Sequence, residues 1–429
     1  MYGVVAALVG LVLVVGAVSS LQNAFRRTPW DLNVDHLTAR AYLQHYSPFT
    51  PEGAQRSGVA VSGLSGNGHP PTTSFWALPL APLEIHVAGR VLGGVTFFLI
   101  FIEALIAMRL LGIPAPLISA WLLWAYVMST EFMDYHVGVG QISGLIGFFF
   151  FVAWWAGRAG RDLVSGAAIG AACTLKLFPG VMVLFLVVTR RWRAVAGAVG
   201  IYLAIAATMT ARFGFGAWKR FFSVQAAIAD LWMGDVQNQS LHGIVARLFE
   251  PVCVHHGPVM AKAMAISTML CLVMLGLAVW WTWKHARTLD GYDLSFALFV
   301  TLSVLMSQWV WEHYTVIYLL PALVLFAQLW RRIHRRGGGV VPWILMALLG
   351  SVVACWRAPL HTKQELQRRV LAGATDHHIQ LHLYDLLNWA PGVVLLILLF
   401  VACWRRLDLP AKEPGDASNE AATSPPAIS

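Results

Sequence analysis

The chain has 429 residues, of which 58% are hydrophobic and only 12% charged, and its mean hydropathy is +0.65. That balance leaves too little polar surface for a soluble globule of this length, so the fold class expected is an all-α polytopic membrane protein with the lipid bilayer as its solvent. The formal net charge of +9 is spread in small basic clusters at the ends of apolar runs, which argues for membrane orientation and against nucleic acid as a partner.

A hydrocarbon core of roughly 30 Å calls for about 20 residues per helix, and on that measure the apolar runs give about twelve spans. They fall near 3–20, 88–108, 117–130, 141–156, 163–176, 178–189, 195–211, 262–283, 293–308, 314–330, 340–356 and 389–403. The first run has no basic residue ahead of it and only a weak cleavage site at Ala17-Val18-Ser19-Ser20, so a retained helix is expected. Pro179 lacks a backbone donor and restricts Phe178, so the helix breaks there and the two flanking segments need not cross fully.

The short basic turns 157–162, 190–193, 284–287, 331–336 and 405–406 all fall on one side of this topology, which is expected to be cytoplasmic. The long connections 21–87, 212–261 and 357–388 fall on the other side and hold nearly all the His, Asp and Asn residues able to do chemistry. The active surface is therefore expected to be extracytoplasmic, on a plasma (inner) membrane protein. Residues 1–408 form one transmembrane domain, and 409–429, rich in Pro, Ala, Ser and acids, a disordered cytoplasmic tail. Cys173 and Cys271 fall inside spans and Cys403 at a cytoplasmic end; no disulfide framework is expected, nor a Cys253–Cys355 bridge.

Along the chain, Leu32, Leu37, Ala41 and Leu43 predict an amphipathic helix on the membrane surface, opened by Asp31. Asp31 has two readings: an N-cap satisfying free backbone donors, or a general base within reach of an acceptor hydroxyl. Asp35, one turn later, is the fallback base. His69, before a Pro-Pro pair, is either an ordinary loop histidine or a donor to a substrate oxygen. Glu131, Asp134 and His136 crowd one short connection without the ligand geometry of a strong metal site, and His255-His256, His377-His378 and His382 read as solvated; no metal is expected.

Lys176 sits between two apolar runs, where a cation either snorkels to an interface or meets an anionic headgroup. Glu312 and His313, flanked by Trp309, Trp311 and Tyr314, are either incidental polar residues in an aromatic belt or part of a site wall.

Taken in order, these segments resemble glycosyltransferase family 87, the polyprenyl-phosphate-sugar-dependent enzymes that include α-1,2-mannosyltransferases of the GT-C membrane fold. Asp31-Leu32-Asn33-Val34-Asp35 resembles the family's Asp-Leu-x-Val-Tyr block, and His69-Pro70-Pro71 with Leu78-Pro79-Leu80 its Pro-Pro…Pro-Leu block. Residues 140–193 resemble its longest block, Asn238-Gln239-Ser240-Leu241-His242-Gly243 with Arg247-Leu248 its Asn-Gln-Ser-Leu-x-Gly…Arg-Leu block, and 307–314 its Ser-Pro-x-Ser-Trp-Asp-His-His block. Asp35 departs from an aromatic, Ser143 from an asparagine, Gln308 from a proline, Glu312 from an aspartate and Tyr314 from the second histidine.

The resemblance implies a GT-C-like bundle and a glycosyltransferase moving a sugar, with mannose the leading candidate, from a polyprenyl phosphate to a glycolipid or glycan acceptor. It implies Asp31 as general base, Lys176 and His313 as contacts to the leaving phosphate, and substrate contacts at Asp35, His69, Gln141, Asn238, Gln239, His242 and Glu312. The displacement inverts the anomer, and no cofactor or metal is implied. Arabinofuranosyl transfer needs the same groups, so nothing in the sequence fixes mannose. A transporter or lipid flippase is the competing class; it would favour internal repeats and mid-bilayer charges, of which only Glu103 is clear.

Overall fold

The computed structural model describes residues 2–58, 60–61, 64–65, 68–235, 238–249, 258–335, 344–350 and 391–407. The connection 357–388, the tail 409–429, His255, His256, His377, His378, His382, Cys253 and Cys355 lie outside the described residues.

The first helices are α1 (Tyr2–Arg26), α2 (Trp30–Leu43), α3 (Pro51–Ser57), α4 (Thr73–Ala77), α5 (Ile85–Leu110) and α6 (Pro116–Met128). Then come α7 (Glu131–Val139), α8 (Ser143–Arg158), α9 (Asp162–Leu175), α10 (Val181–Val188), α11 (Trp192–Phe213) and α12 (Gly216–Trp232). The last are α13 (Leu241–Phe249), α14 (Pro258–His285), α15 (Leu289–Leu305), α16 (Leu319–Arg335) and α17 (Pro391–Leu407). Among the described residues the only strands form a two-residue hairpin, Ala60–Val61 with Leu64–Ser65.

Among the described residues helices stand where the apolar runs predict them, the run 340–356 being described only over 344–350, yet only 4 described segments are individually long and apolar enough to cross a membrane: Ile85–Leu110, Trp192–Phe213, Ala261–His285 and Glu312–His334. The pair Phe132–Val139 and Ser143–Arg158, bent by 105°, makes a fifth if counted as one span. At 1.5 Å per residue, α9 covers about 21 Å, short of a core of roughly 30 Å. The count of twelve full spans thus exceeds what length and composition carry, because unbroken apolarity in the sequence hides turns in the backbone. One such break, at Lys176 and Pro179, is where the sequence puts it: α9 ends at Leu175, a 3₁₀ turn covers Phe178–Gly180, and α10 follows.

The centre of the bundle is α15, buried from Gly291 to Leu305, as suits a helix that is apolar all round. Phe185 of α10 packs edge-on against Tyr292 and Phe296 on it. Helices α9 and α11 approach closely because Gly166 and Gly170 face the Ala194 and Ala198 carbonyls; a Cβ at either glycine would fall within 2.3 Å of an oxygen. Small residues four apart are the usual means of such contact between apolar helices.

One end of the bundle collects the basic turns. Arg158 and the Trp154 indole both donate to Asp293, each at 2.8 Å; Arg191 pairs with Asp162 at 3.1 Å, and Arg331 with Asp290 at 3.0 Å. Helix α9 leaves that end and stops at Leu175, and α15 leaves it and stops at Leu305. Both stop beside the same cavity, so the cavity lies at the end opposite the basic turns.

The long connections at the cavity end are largely helical. Residues 21–87 hold α2, α3, the hairpin and α4, and 212–261 hold α12 and α13. Helix α2 stands where the amphipathic helix is expected, but its buried face is partly polar: Asp35, His36 and Thr38 are buried with Leu32 and Ala41 while Leu43 is exposed, and Ala39 packs with Ala77 and Ala81.

Candidate functional site

A cavity of about 590 Å³ opens at this end, lined by Asp31, His69, Gln141, Lys176 and Tyr314 among its polar residues and by Trp232, Trp309 and Trp311 along one wall. Four of the sequence-predicted site residues, Asp31, His69, Gln141 and Lys176, therefore meet in one place although up to 145 residues separate them, from 31 to 176.

Lys176 is placed by the end of α9. A helix terminus leaves carbonyls without intrahelical partners, and here those of Thr174 and Leu175 accept from the Thr72 and Thr73 hydroxyls at 2.7 and 2.8 Å. The Trp76 indole donates to the Thr174 hydroxyl at 2.8 Å. The Pro-Pro loop is thus tied to the residues just before Lys176, which is itself extended (φ −148°, ψ 154°). Its ammonium donates to the Tyr314 hydroxyl and sits 4.5 Å from that ring's centre.

Asp31 is placed by α2 and by a sharp turn between α7 and α8. The capping role open to Asp31 in the sequence is not the one it has: Pro29 occupies the N-cap, no side chain caps the helix, and Asp31 lies in its first turn. The Gln141 amide donates to the Asp31 carboxylate instead. Gly140 makes this reach possible, since it adopts a φ of +74° and a Cβ there would come within 2.6 Å of Leu32. Burial pushes the Asp31 carboxyl above the ordinary aspartate range, while the charges of His69 and Lys176 and the Gln141 hydrogen bond pull it down. The carboxylate is thereby held by a neutral donor, with His69 and Lys176 beside it in the same cavity.

Asp35 does not itself line the cavity. It is 1% exposed, and its carboxylate meets His69 Nδ1 at 2.7 Å.

Asn238 and its neighbours build the tryptophan wall. The Asn238 amide donates to the carbonyls of Trp232, Met233 and Gln308, and its oxygen accepts from the Ser240 and Val310 amides, both at 3.0 Å. Gln239 donates its backbone amide to Val310 at 2.7 Å, and His242 Nδ1 meets Ser267 at 2.7 Å. These three residues, read from the sequence as substrate contacts, are buried and do not line the cavity; Asn238 has its hydrogen-bonding capacity spent on backbone. The loop they hold sets Trp232 edge-on against Trp309 and Trp311, at 5.9 and 5.5 Å between ring centres.

Glu312 and His313 are likewise buried behind the wall, at 8% and 2% exposure, in a 3₁₀ turn over Glu312–Tyr318. His313 stacks on Tyr135 at 6.1 Å and lies 6.3 Å from His136, so it packs against α7 and does not face the cavity. Tyr314 takes the cavity position instead, the residue that departs from the second histidine of the resembling family; that departure was the one mark by which sequence could have found the partner of Lys176. Phe221, Phe222 and Gln225 of α12 complete the lining, and nothing in their pattern singled them out. Asp134 is engaged by Arg27 at 2.7 Å, and His136 is buried.

A cavity of this size, with a carboxylate, a fixed ammonium and aromatic faces, has the groups to take a proton from a hydroxyl and to hold an anion beside an apolar ring. A family model described as glycosyltransferase family 87 matches residues 68–307. The match takes in His69, Gln141, Lys176, Asn238, Gln239 and His242 and leaves Asp31, Asp35, Glu312 and His313 outside it. No curated protein and no solved structure matches the chain.

Proposed function

The chain belongs to glycosyltransferase family 87, and we propose that it transfers a sugar, mannose first among candidates, from a polyprenyl phosphate to a hydroxyl of a glycolipid or glycan acceptor. The acceptor oxygen attacks the anomeric carbon, its proton passes to the Asp31 carboxylate, and the bond from that carbon to the phosphate oxygen breaks. The lipid phosphate leaves with the electron pair beside Lys176, and one displacement inverts the anomer.

The observation that carries this reading is the meeting of Asp31 and Lys176 in one cavity, each hydrogen-bonded to a neutral side chain, Gln141 and Tyr314. An ammonium in a partly buried site stabilises a developing phosphate charge more than it would in water. Asp31 need not be a strong base, because in an oxocarbenium-like displacement the hydroxyl becomes acidic as the bond forms. The cavity's place opposite the basic turns supports an extracytoplasmic site on a plasma-membrane protein. Helices at the predicted positions support a GT-C-like membrane bundle.

Purified protein with radiolabelled polyprenyl-phosphate mannose and a panel of glycolipid acceptors tests the reading. Label appearing in the acceptor supports it; flux of the labelled lipid across proteoliposomes with no transfer contradicts it and favours a transporter.

A further inference from the structure

The sequence pairs Lys176 with His313 at the phosphate, but His313 does not reach the cavity. Another histidine does. His69 lines it, and its ring is gripped on one edge by Asp35, which is 1% exposed and lines no part of it.

We propose that His69, backed by the buried Asp35 carboxylate, is a second contact for the leaving phosphate, so that the lipid headgroup is held between His69 and Lys176. This inference rests on the glycosyl-transfer reading above and adds a residue to it.

Three observations lead there. A carboxylate taken out of water is costly unless it is paired, and Asp35 has His69 at 2.7 Å, the geometry of a charge-assisted hydrogen bond. The loop carrying His69 is fixed on both flanks: the Gly68 carbonyl accepts from the Gln225 amide, and Thr72 and Thr73 bond the end of α9. The imidazole is thus held ready and need not be ordered when a ligand arrives. Finally, the charge of His69 already acts on Asp31 from the same cavity as that of Lys176.

Among the described residues, the charged and titratable groups near His69 include Asp31 and Asp35 on α2, Lys176 after α9, and His313 and Tyr314 on the 3₁₀ turn. The residues of α12 that line the cavity, Phe221, Phe222, Gln225, Ala226, Ile228 and Trp232, contribute no charge. An incoming phosphate would thus meet His69 and Lys176 together, with Asp31 in the same cavity. Asp35 is a positioning residue in this scheme, and His69 touches the substrate.

The test compares binding of farnesyl phosphate and of uncharged farnesol to the full-length purified protein, read by the fluorescence of the cavity tryptophans. Wild type should prefer the phosphate. His69→Gln should cut that preference about tenfold while leaving farnesol binding unchanged, and His69→Arg should keep most of it, as expected for loss and retention of one charge-assisted contact. Asp35→Asn should shift the preference in the same direction as His69→Gln. A His69→Gln protein with the wild-type preference overturns the proposal; if Lys176→Ala still loses that preference, the transfer reading stands. A wild type that does not distinguish farnesyl phosphate from farnesol overturns both. Should Asp35→Asn fail to fold, the two His69 variants decide the matter alone.

Discussion

The two ends of the bundle use charge in opposite ways. At the basic end, Arg158, Arg191 and Arg331 each meet a carboxylate within the protein, and Asp293, 1% exposed, takes a second hydrogen bond from Trp154. At the cavity end, Asp31 is held by an amide and Lys176 by a phenol, neither of which cancels a charge. Charges satisfied by opposite charges fasten helices; charges held by neutral groups keep their field for a ligand. On the proposed reading the same residue types serve structure at one end and chemistry at the other, and what separates them is the partner.

Substitutions at the two ends should accordingly fail in different ways. Asp31→Asn has the largest expected effect on turnover, a loss of roughly 10² to 10⁴-fold in transfer. Its melting temperature should stay near that of wild type, because the residue lies in the first turn of α2, where an acid contributes only about 0.3 to 1 kcal/mol. Equal turnover by the two proteins would return Asp31 to a structural role.

Lys176→Ala should lower transfer by roughly 10² to 10³-fold, expressed as weaker use of the lipid-phosphate donor with acceptor dependence little changed, and Lys176→Arg should keep part of the activity. Steady-state kinetics with donor and acceptor varied separately checks this. An unchanged donor dependence would mean the side chain only snorkels.

Arg158→Ala sharpens the comparison from the other end. It leaves Asp293 buried without its cation, at a cost of about 3 to 5 kcal/mol. Thermal melts should fall, while transfer per folded molecule stays as in wild type. A variant that melts normally but has lost transfer would join the two ends functionally and break the contrast.

The smallest effect is one of pH. Burial raises the Asp31 carboxyl above the ordinary aspartate range, and the base must be ionised to accept a proton. Transfer should therefore decline as pH falls, with its acid limb above the range of an exposed aspartate, and recover on return to neutral pH. A rate flat down to the ordinary aspartate range would place Asp31 outside the proton transfer.

Much of this fold was legible because bilayer chemistry leaves strong marks. Apolar runs gave the positions of α5, α11, α14 and α16, the break at Pro179 gave the end of α9, and the first-loop pattern gave α2. The number of full crossings was not legible, because Gly140 lets the backbone turn between α7 and α8 without lowering apolarity. Helices α12 and α13 were missed for the converse reason: they lie in a polar connection that composition describes as a loop.

At the site, residue types that must be near something identified themselves. A lysine between apolar runs and an aspartate opening an amphipathic helix are costly enough to need an account, and the structure brings both to one cavity. Asn238 looked equally functional, yet its amide holds the backbone of two loops, a use that depends on chain segments 70 residues apart in sequence, from 238 to 308. No local pattern could separate those outcomes. Tyr314 and His313 are adjacent, and which of them faces Lys176 is decided by the phase of a 3₁₀ turn.

The central claim is that Asp31 and Lys176 address the two sides of one reacting bond. Electron cryo-microscopy of Asp31→Asn with polyprenyl-phosphate mannose bound tests it most directly, since that variant should hold the donor without consuming it. The account predicts the lipid phosphate within hydrogen-bond distance of Lys176, with the anomeric carbon turned toward position 31 and space between them for an acceptor hydroxyl. A donor bound with its phosphate away from Lys176, or with its sugar outside the cavity, would contradict it.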